Sequence, residues 1–462
     1  MAGVKDLFKP VDMTEGDPVS NLIRFAIPML IGNIAQQLYN TVDSIIVGRY
    51  VGDNALAAVG SAGPVFGMMF VLFMGVSTGA SIMVSQYFGA RKKEELSRAI
   101  CTCIVLTALA SLIIMGVGPM ITRPMLRLLH TPDSIIDWCR AYLRIIFLGV
   151  MGSGYYNIMS GVLRGLGDSV SALKYLLVAT FTNIILDWTF VAKFGMGVPG
   201  VALATIIAQW ISAILCLVKL TTMKNLFEMK RDYFKLSKDY SLRLIQLGLP
   251  AGITQMIFSA SSIVVQSLTN SFGEMYIAAN VIVMRIDGFV MMPAFSFGTA
   301  MTTFAGQNIG AGKLDRVDDG TRRGTFTAMG VSAVLTVLIV VFGKYLMGIF
   351  TTTEELIDLA NTMMRILAPG YIAMEVTQCL SGVMRGAGDT MTPMWISIIN
   401  TVAIRVPLAY MMVQMTKTPR LPQGNCLMMQ ISMLTAWLIG AILTYILFKR
   451  GGWRKKALNR VG

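Results

Sequence analysis

Long apolar runs alternate with short polar stretches along almost the whole chain. Twelve of these runs are long enough to form a membrane-spanning helix, which needs about 20 apolar residues to cross a hydrocarbon core of about 30 Å. The predicted spans are 25–47, 55–85, 99–121, 142–163, 170–192, 199–218, 245–268, 277–305, 325–345, 363–384, 394–413 and 427–448. The pattern predicts an all-α integral membrane protein.

The composition supports this prediction. The 462 residues are 55% hydrophobic and 14% charged, and the mean hydropathy is +0.64. A soluble domain carries about 25% charged residues, so this chain has too few to cover a surface in water.

The basic residues are unevenly distributed. The net charge is +14, and lysine and arginine concentrate in alternate polar stretches at 90–98, 219–243, 312–323 and 449–460. This distribution is typical of the positive-inside rule, and it predicts that both termini lie in the cytoplasm. It also argues against nucleic acid as the partner of the positive charge.

Catalytic and metal-binding residue types are scarce. The six cysteines contain no CxxC pair, and the only histidine, His130, lies in a predicted loop. We therefore expect no enzyme activity, no catalytic residues and no resident cofactor.

Two stretches of the chain are nearly the same. The ten residues SGVLRGLGDS at 160–169 match SGVMRGAGDT at 381–390 in seven positions, 221 residues further on. QYFGARK at 86–92 matches QNIGAGK at 307–313 at the same interval. In the doubled stretch, we expect glycines to end one helix and Asp168 or Asp389 to begin the next.

The duplication predicts two six-helix bundles in parallel orientation, because six spans return the chain to its starting side. We place the domains at 1–225 (N-terminal lobe), 226–243 (cytoplasmic linker), 244–448 (C-terminal lobe) and 449–462 (basic cytoplasmic tail).

The two halves differ in their acidic residues. The first span has a polar face that includes Gln36, Asn40 and Asp43, and the matching face of the seventh span has Val265 in place of the acid. Asp187 adds a second carboxylate in the fifth span. Carboxylates inside a membrane are costly and usually functional.

No basic residue lies deep in the first, second, third or sixth span to neutralise these acids. We therefore expect the pair to take up a proton or to bind Na⁺, with neutral oxygens from Asn183, Thr205 and Asn157. Alternatively, each acid only forms hydrogen bonds to a neighbouring helix.

The C-terminal half has membrane charges of both signs, namely Arg285, Asp287, Glu375 and Arg405. These four charges can neutralise one another in structural pairs, or they can take part in transport. Pro28 interrupts the first span and forms either a hinge or a fixed kink.

Taken together, these features resemble the multidrug and toxic compound extrusion (MATE) transporters of bacteria. The resemblance rests on the two six-span halves, the doubled SGVxRGxGD stretch, NTVDSIIVG after Pro28, and NIILDW around Asp187. It implies a MATE-like fold and a monomer in the bacterial inner membrane. It also implies a multi-pass antiporter that exports organic cations or amphipathic drugs in exchange for H⁺ or Na⁺.

The resemblance also implies site residues. The family's cation site corresponds to Asp43, Asn183, Asp187 and Thr205, with Asn157 nearby, and its drug contacts in the first span correspond to Gln36 and Tyr39, beside Asn40. A lipid-linked oligosaccharide flippase of similar architecture is the alternative, and Arg285 and Arg405 favour it because its substrate carries a pyrophosphate.

Overall fold

We describe the protein from a computed structural model that covers residues 9–128 and 131–461; His130 lies outside these ranges. Within the described residues the regular structure is helical, apart from one isolated β-bridge between Thr418 and Leu421.

The first half of the chain forms seven α-helices and one π-helical segment. They are α1 (Pro18–Tyr50), α2 (Asp53–Gly89), α3 (Lys93–Leu128), α4 (Asp133–Leu148), α5 (Val150–Gly165), α6 (Ser169–Asp187), the π-helical Trp188–Lys193, and α7 (Gly197–Thr222).

The second half repeats this order after the short 3-10 helix Arg231–Phe234. It comprises α8 (Lys238–Asn270), α9 (Glu274–Val290), α10 (Met292–Gly310), α11 (Leu314–Gly348), α12 (Glu354–Gly386), α13 (Met391–Ile398), the π-helical Ile399–Arg405, α14 (Val406–Met415), α15 (Met428–Lys449) and the terminal α16 (Gly452–Val461).

Several neighbouring elements continue one another. Helices α4 and α5 meet at Gly149, α9 and α10 meet at Met291, and the π-helical segments extend α6 and join α13 to α14. Before α16, the described residues therefore form twelve long helical segments, which confirms the predicted number. In the described ranges, nine of them are long and apolar enough to cross a membrane.

The chain divides into two compact units. The first contains residues 1–12 and 27–252, and the second contains residues 13–26 and 253–462. The boundaries fall inside α1, two residues before Pro28, and inside α8, two residues after Pro250. Each unit thus holds most of one repeat and the leading helical segment of the other.

Side chains of the repeated QxxGAxK motif bind these leading segments. In the first unit, Gln86 Oε1 accepts a hydrogen bond of 2.7 Å from Arg243. In the second unit, Gln307 Oε1 accepts one of 2.9 Å from the Met13 N–H, and Lys313 donates to the Thr14 carbonyl oxygen at 2.9 Å. The motif therefore binds the segment that precedes α1 and the start of α8.

The doubled SGVxRGxGD stretch ends one helix and begins the next in both units. Gly167 and Gly388 have φ angles of 86° and 83°, which are strained for residues with a side chain. Asp168 Oδ1 then accepts the N–H of Ser171 at 2.8 Å, and Asp389 Oδ1 accepts the N–H of Thr392 at 3.2 Å. The predicted helix stop and carboxylate cap are therefore present twice.

The first half of the same stretch packs helices together. A Cβ atom on Gly161 of α5 would lie 2.4 Å from the Ser77 carbonyl oxygen of α2. A Cβ on Gly382 of α12 would lie 2.3 Å from the Gly298 oxygen of α10. Gly298 lies 221 positions after Ser77, so the repeat preserves both the glycine and its contact.

We expect Asp168→Ala to destabilise the protein by about 1 to 2 kcal/mol, because the N-terminus of α6 loses its cap. Asp168→Asn retains an oxygen acceptor and should cost much less. Thermal unfolding of the purified protein in detergent measures the difference. Asp232→Ala, which removes an acid exposed on the linker, is the control. Equal midpoints for Asp168→Ala and Asp232→Ala would contradict the capping role.

Candidate functional site

Helix α1 presents a polar face that is accessible on the first unit. Gln37, Asn40 and Ser44 are exposed, while Gln36 and Tyr39 are half-buried. Exposed amides are costly against lipid, so a helix with such a face is expected to line a water-filled space. Asp43 lies on the same helix one turn after Tyr39 and is half-buried.

Asp187 lies at the last position of α6, where the α-helix changes into the π-helical segment. Short π-helical segments frequently occur at functional sites. Asp187 and Asn183, one turn earlier, are both 0% exposed. The structure thus places a carboxylate and an amide in the interior of the first unit.

The two predicted acids come together. The carboxyl groups of Asp43 and Asp187 are close enough to interact electrostatically, and Asn183 lies beside Asp187. Within the described residues, no lysine or arginine forms an ion pair with either acid. Two like charges without a cation are unstable in an apolar bundle unless a positive ion or a proton joins them.

Among the described residues, hydrogen bonds of good geometry leave most of the polar atoms of this pair unsatisfied. Both carboxyl oxygens of Asp187, Oδ1 of Asp43, and both polar side-chain atoms of Asn183 are buried without a hydrogen-bond partner of good geometry among the described residues. Buried polar atoms in proteins are nearly always paired, so an unpaired set points to a ligand.

Two tyrosines complete the surroundings of the pair. Tyr39 lies close to Thr205 and to both acids, although the sequence suggested it only as a drug contact. Tyr142 of α4 also lies near both acids and is 8% exposed. Sequence analysis missed Tyr142 because it lies outside the polar patterns of the first, fifth and sixth spans.

The remaining predicted oxygens are placed differently. Thr205 of α7 donates its hydroxyl hydrogen to the Val201 carbonyl oxygen at 3.0 Å, which leaves its lone pairs available. Asn157 of α5 donates to the Ser153 carbonyl oxygen at 2.8 Å, and no hydrogen bond links it to the acids in the described residues.

The chemical groups around the two acids suit a proton or a hard monovalent cation. Carboxylate, amide and hydroxyl oxygens are the ligands that hard cations prefer. In the described ranges no group of three or more His, Cys, Asp or Glu side chains is present that could hold a metal ion. Two acids can share one proton or one Na⁺, and either would neutralise part of their charge.

The four charged residues that the sequence singled out in the second half form no ion pair with one another among the described residues. Asp287 is buried and accepts a hydrogen bond from the Tyr371 hydroxyl. Arg285, two residues earlier on α9, is exposed. Arg405 is half-buried and lies near Asp287, but no ion pair joins any of these side chains in the described part of the chain.

Glu375 of α12 is 1% exposed, and its Oε1 has no hydrogen-bond partner among the described residues. Cys379, one turn later on the same helix, lies near it. Glu375 is therefore another buried carboxyl group that forms no ion pair within the described ranges.

A model of the MatE family matches the chain twice, over residues 28–189 and 250–411. The two matched segments start at Pro28 and Pro250. Each includes the polar helix that begins a repeat, and the first ends just after Asp187. The family model thus follows the duplication.

Similar proteins cover almost the whole chain. The probable multidrug resistance protein YoeA of Bacillus subtilis is 31% identical over 95% of this chain and 94% of its own length. The probable multidrug resistance protein NorM of Thermotoga maritima is 26% identical over 95% of this chain and 93% of its own length.

A solved structure described as the outward-facing conformation of a multidrug resistance MATE family transporter of the MOP superfamily has the same fold. It superposes with a TM-score of 0.88 at 23% identity and covers 97% of this chain and 99% of that chain. With its twelve long helical segments and the double family match, the chain belongs to the MATE family of membrane transporters.

Proposed function

We propose that the protein is a secondary active antiporter that exports organic cations or amphipathic drugs in exchange for H⁺ or Na⁺. Membership of a transporter family argues against an enzyme. The observation that carries the proposal is the pair of Asp43 and Asp187. In the described ranges, three of its four carboxyl oxygens lack a hydrogen-bond partner of good geometry, and no basic residue forms an ion pair with it. The names of the bacterial relatives support multidrug export.

The pair would couple the two fluxes through its charge. With the ion bound, the site loses part of its negative charge and a cationic compound is held less strongly. After the ion leaves, the restored charge favours an organic cation. The ion would be oriented by Thr205, Asn183 and the two tyrosines. Asn157 of α5 would contribute from a greater distance.

The accessible polar face of α1 would bind the drug. Gln36, Tyr39 and Asn40 offer amide and phenol groups on the helix that also carries Asp43. Pro28 interrupts this helix, and bending there would move the ion-binding and drug-binding residues together relative to the start of the helix. Alternating access would then expose the site to one side of the membrane at a time.

We place the protein in the bacterial inner membrane as a monomer, with both termini in the cytoplasm. The alternate basic stretches at 90–98, 219–243 and 312–323 support this orientation through the positive-inside rule. The coupling ion and the drug are substrates, and the proposal needs no cofactor.

Purified protein in liposomes tests the proposal. We expect an imposed pH or Na⁺ gradient to drive uptake of a fluorescent organic cation against its own gradient, because ion binding is linked to drug release. Liposomes with an ionophore that collapses the gradient are the control. Equal uptake with and without both gradients would refute antiport.

A lipid-linked oligosaccharide flippase is the second candidate. Arg285 and Arg405 of the second unit, which form no ion pair among the described residues, favour it. It predicts that an isoprenoid diphosphate is moved across the same liposome membrane, and a dithionite-quenching assay with a fluorescent analogue tests this. Ion-driven uptake of the organic cation without lipid movement would exclude the flippase.

A further inference from the structure

Arg285 is exposed within the membrane part of the second unit. It lies twelve positions into α9, and its neighbours on the same surface, Met284 and Phe289, are also exposed. An arginine in contact with lipid at this depth is costly, and such residues usually face a water-filled cavity. We therefore infer that the exposed surface around Arg285 is in contact with water.

Arg405 reaches the accessible side of α8. Its guanidinium lies 5.9 Å from the ring centroid of Phe258, which is 49% exposed. The next residue is exposed Ser259, and Gln255 and Gln266 are exposed on the same helix. The Arg405 guanidinium therefore lies beside a polar face of α8, where a polar solute can approach it.

Neither arginine is neutralised by an ion pair within the described residues. The nearby acid, Asp287, is buried and engaged by the Tyr371 hydroxyl, and Glu375 is buried as well. Arg285 and Arg405 are thus accessible positive charges in the membrane part of this unit, whereas the acid pair of the first unit is negative.

We infer that the second unit recognises an anionic group on the transported compound, with Arg285 and Arg405 as specificity-determining residues. The favoured substrate class is an amphiphile with a carboxylate, because guanidinium groups pair with carboxylates through two parallel hydrogen bonds. The inference rests on the proposed antiport function and specifies the chemistry of its substrate.

A matched pair of dyes tests the inference in liposomes. A rhodamine with a free carboxylate and its methyl ester differ in that one charge. For Arg285→Gln and Arg405→Gln we expect kcat/KM for the free acid to fall about tenfold, since hydrogen bonds to charged groups are the stronger kind. Transport of the ester should change less than about twofold. Arg285→Lys should retain part of the preference.

Arg420→Gln is the matched control, because it removes an exposed positive charge from the 416–427 loop. Equal losses for acid and ester, or no loss for either, would overturn the inference while leaving antiport intact. Failure of the wild type to move the ester with a gradient would instead refute the proposed function, and this inference with it. If Arg285→Gln lost movement of the isoprenoid diphosphate but kept transport of both dyes, the arginines would belong to a lipid substrate and the inference would be overturned.

The detergent melting midpoint of each variant separates binding from folding. Arg285 is exposed, so Arg285→Gln should melt within about 2 °C of the wild type, consistent with small effects of surface substitutions. If Arg405→Gln does not fold, Arg285→Gln alone decides the outcome.

Discussion

Asp187→Asn is expected to abolish gradient-driven transport in liposomes, with a loss of at least about 100-fold, which corresponds to about 2.7 kcal/mol. Asparagine has nearly the same shape, but it neither takes up a proton nor carries a negative charge. Asp187 is 0% exposed and its oxygens have no partner in the described ranges, so the change should remove ion binding without disturbing packing.

Asp43→Asn should give the same phenotype, because the two acids act on one ion. Asp232→Asn, on the exposed linker, is the control for surface charge. Both site variants should reach the membrane in normal amounts, since replacing a buried unpaired acid by a neutral group relieves repulsion. Full transport by both variants at normal expression would show that the ion binds elsewhere.

Full transport by both variants would favour Glu375 as the residue that binds the coupling ion. Like Asp187, it is a buried carboxyl group with an unpaired oxygen among the described residues. Gradient-driven transport by Glu375→Gln and by Asp187→Asn, measured in the same liposomes, therefore shows which of the two units binds the coupling ion.

The sequence predicted the twelve helices correctly because membrane helices are defined by length and apolarity, which are local properties. It also predicted that Asp43 and Asp187 belong to one group. The reasons were that both acids lie in the first half and that neither has a basic residue nearby in the spans. Their functional role stays a prediction, but their proximity is a structural finding.

Contacts between distant segments were not predictable in this way. Tyr142 comes from α4, and nothing in its surrounding sequence indicates that it lies near two acids. The sequence also gave no sign that residues 13–26 pack with the second repeat. Such associations depend on the tertiary path of the chain, which local patterns do not encode.

The doubled stretch illustrates both cases. Its left-handed glycines and capping acids follow from local chemistry, and they were predicted. The close approach of Gly161 to Ser77 was not, because the partner lies on another helix. The duplication supplies the missing signal: Gly161 and Gly382 keep the same small residue at the same position of the doubled stretch.

Gly161→Ala and Gly382→Ala are expected to have the largest effects on stability, about 2 to 3 kcal/mol each, as overpacking commonly costs. The added Cβ would lie 2.4 Å or 2.3 Å from a backbone oxygen, which a rotamer change does not move. Gly116→Ala and Gly330→Ala are matched controls, since a Cβ there meets nothing within 4 Å. These controls should stabilise their helices by about 0.5 to 1 kcal/mol. If the melting midpoints in detergent moved in the same direction for the two repeat variants and the two control variants, the proposed packing role would be contradicted. A lower midpoint for the repeat variants and a higher one for the controls would establish that the repeated glycines hold α5 on α2 and α12 on α10.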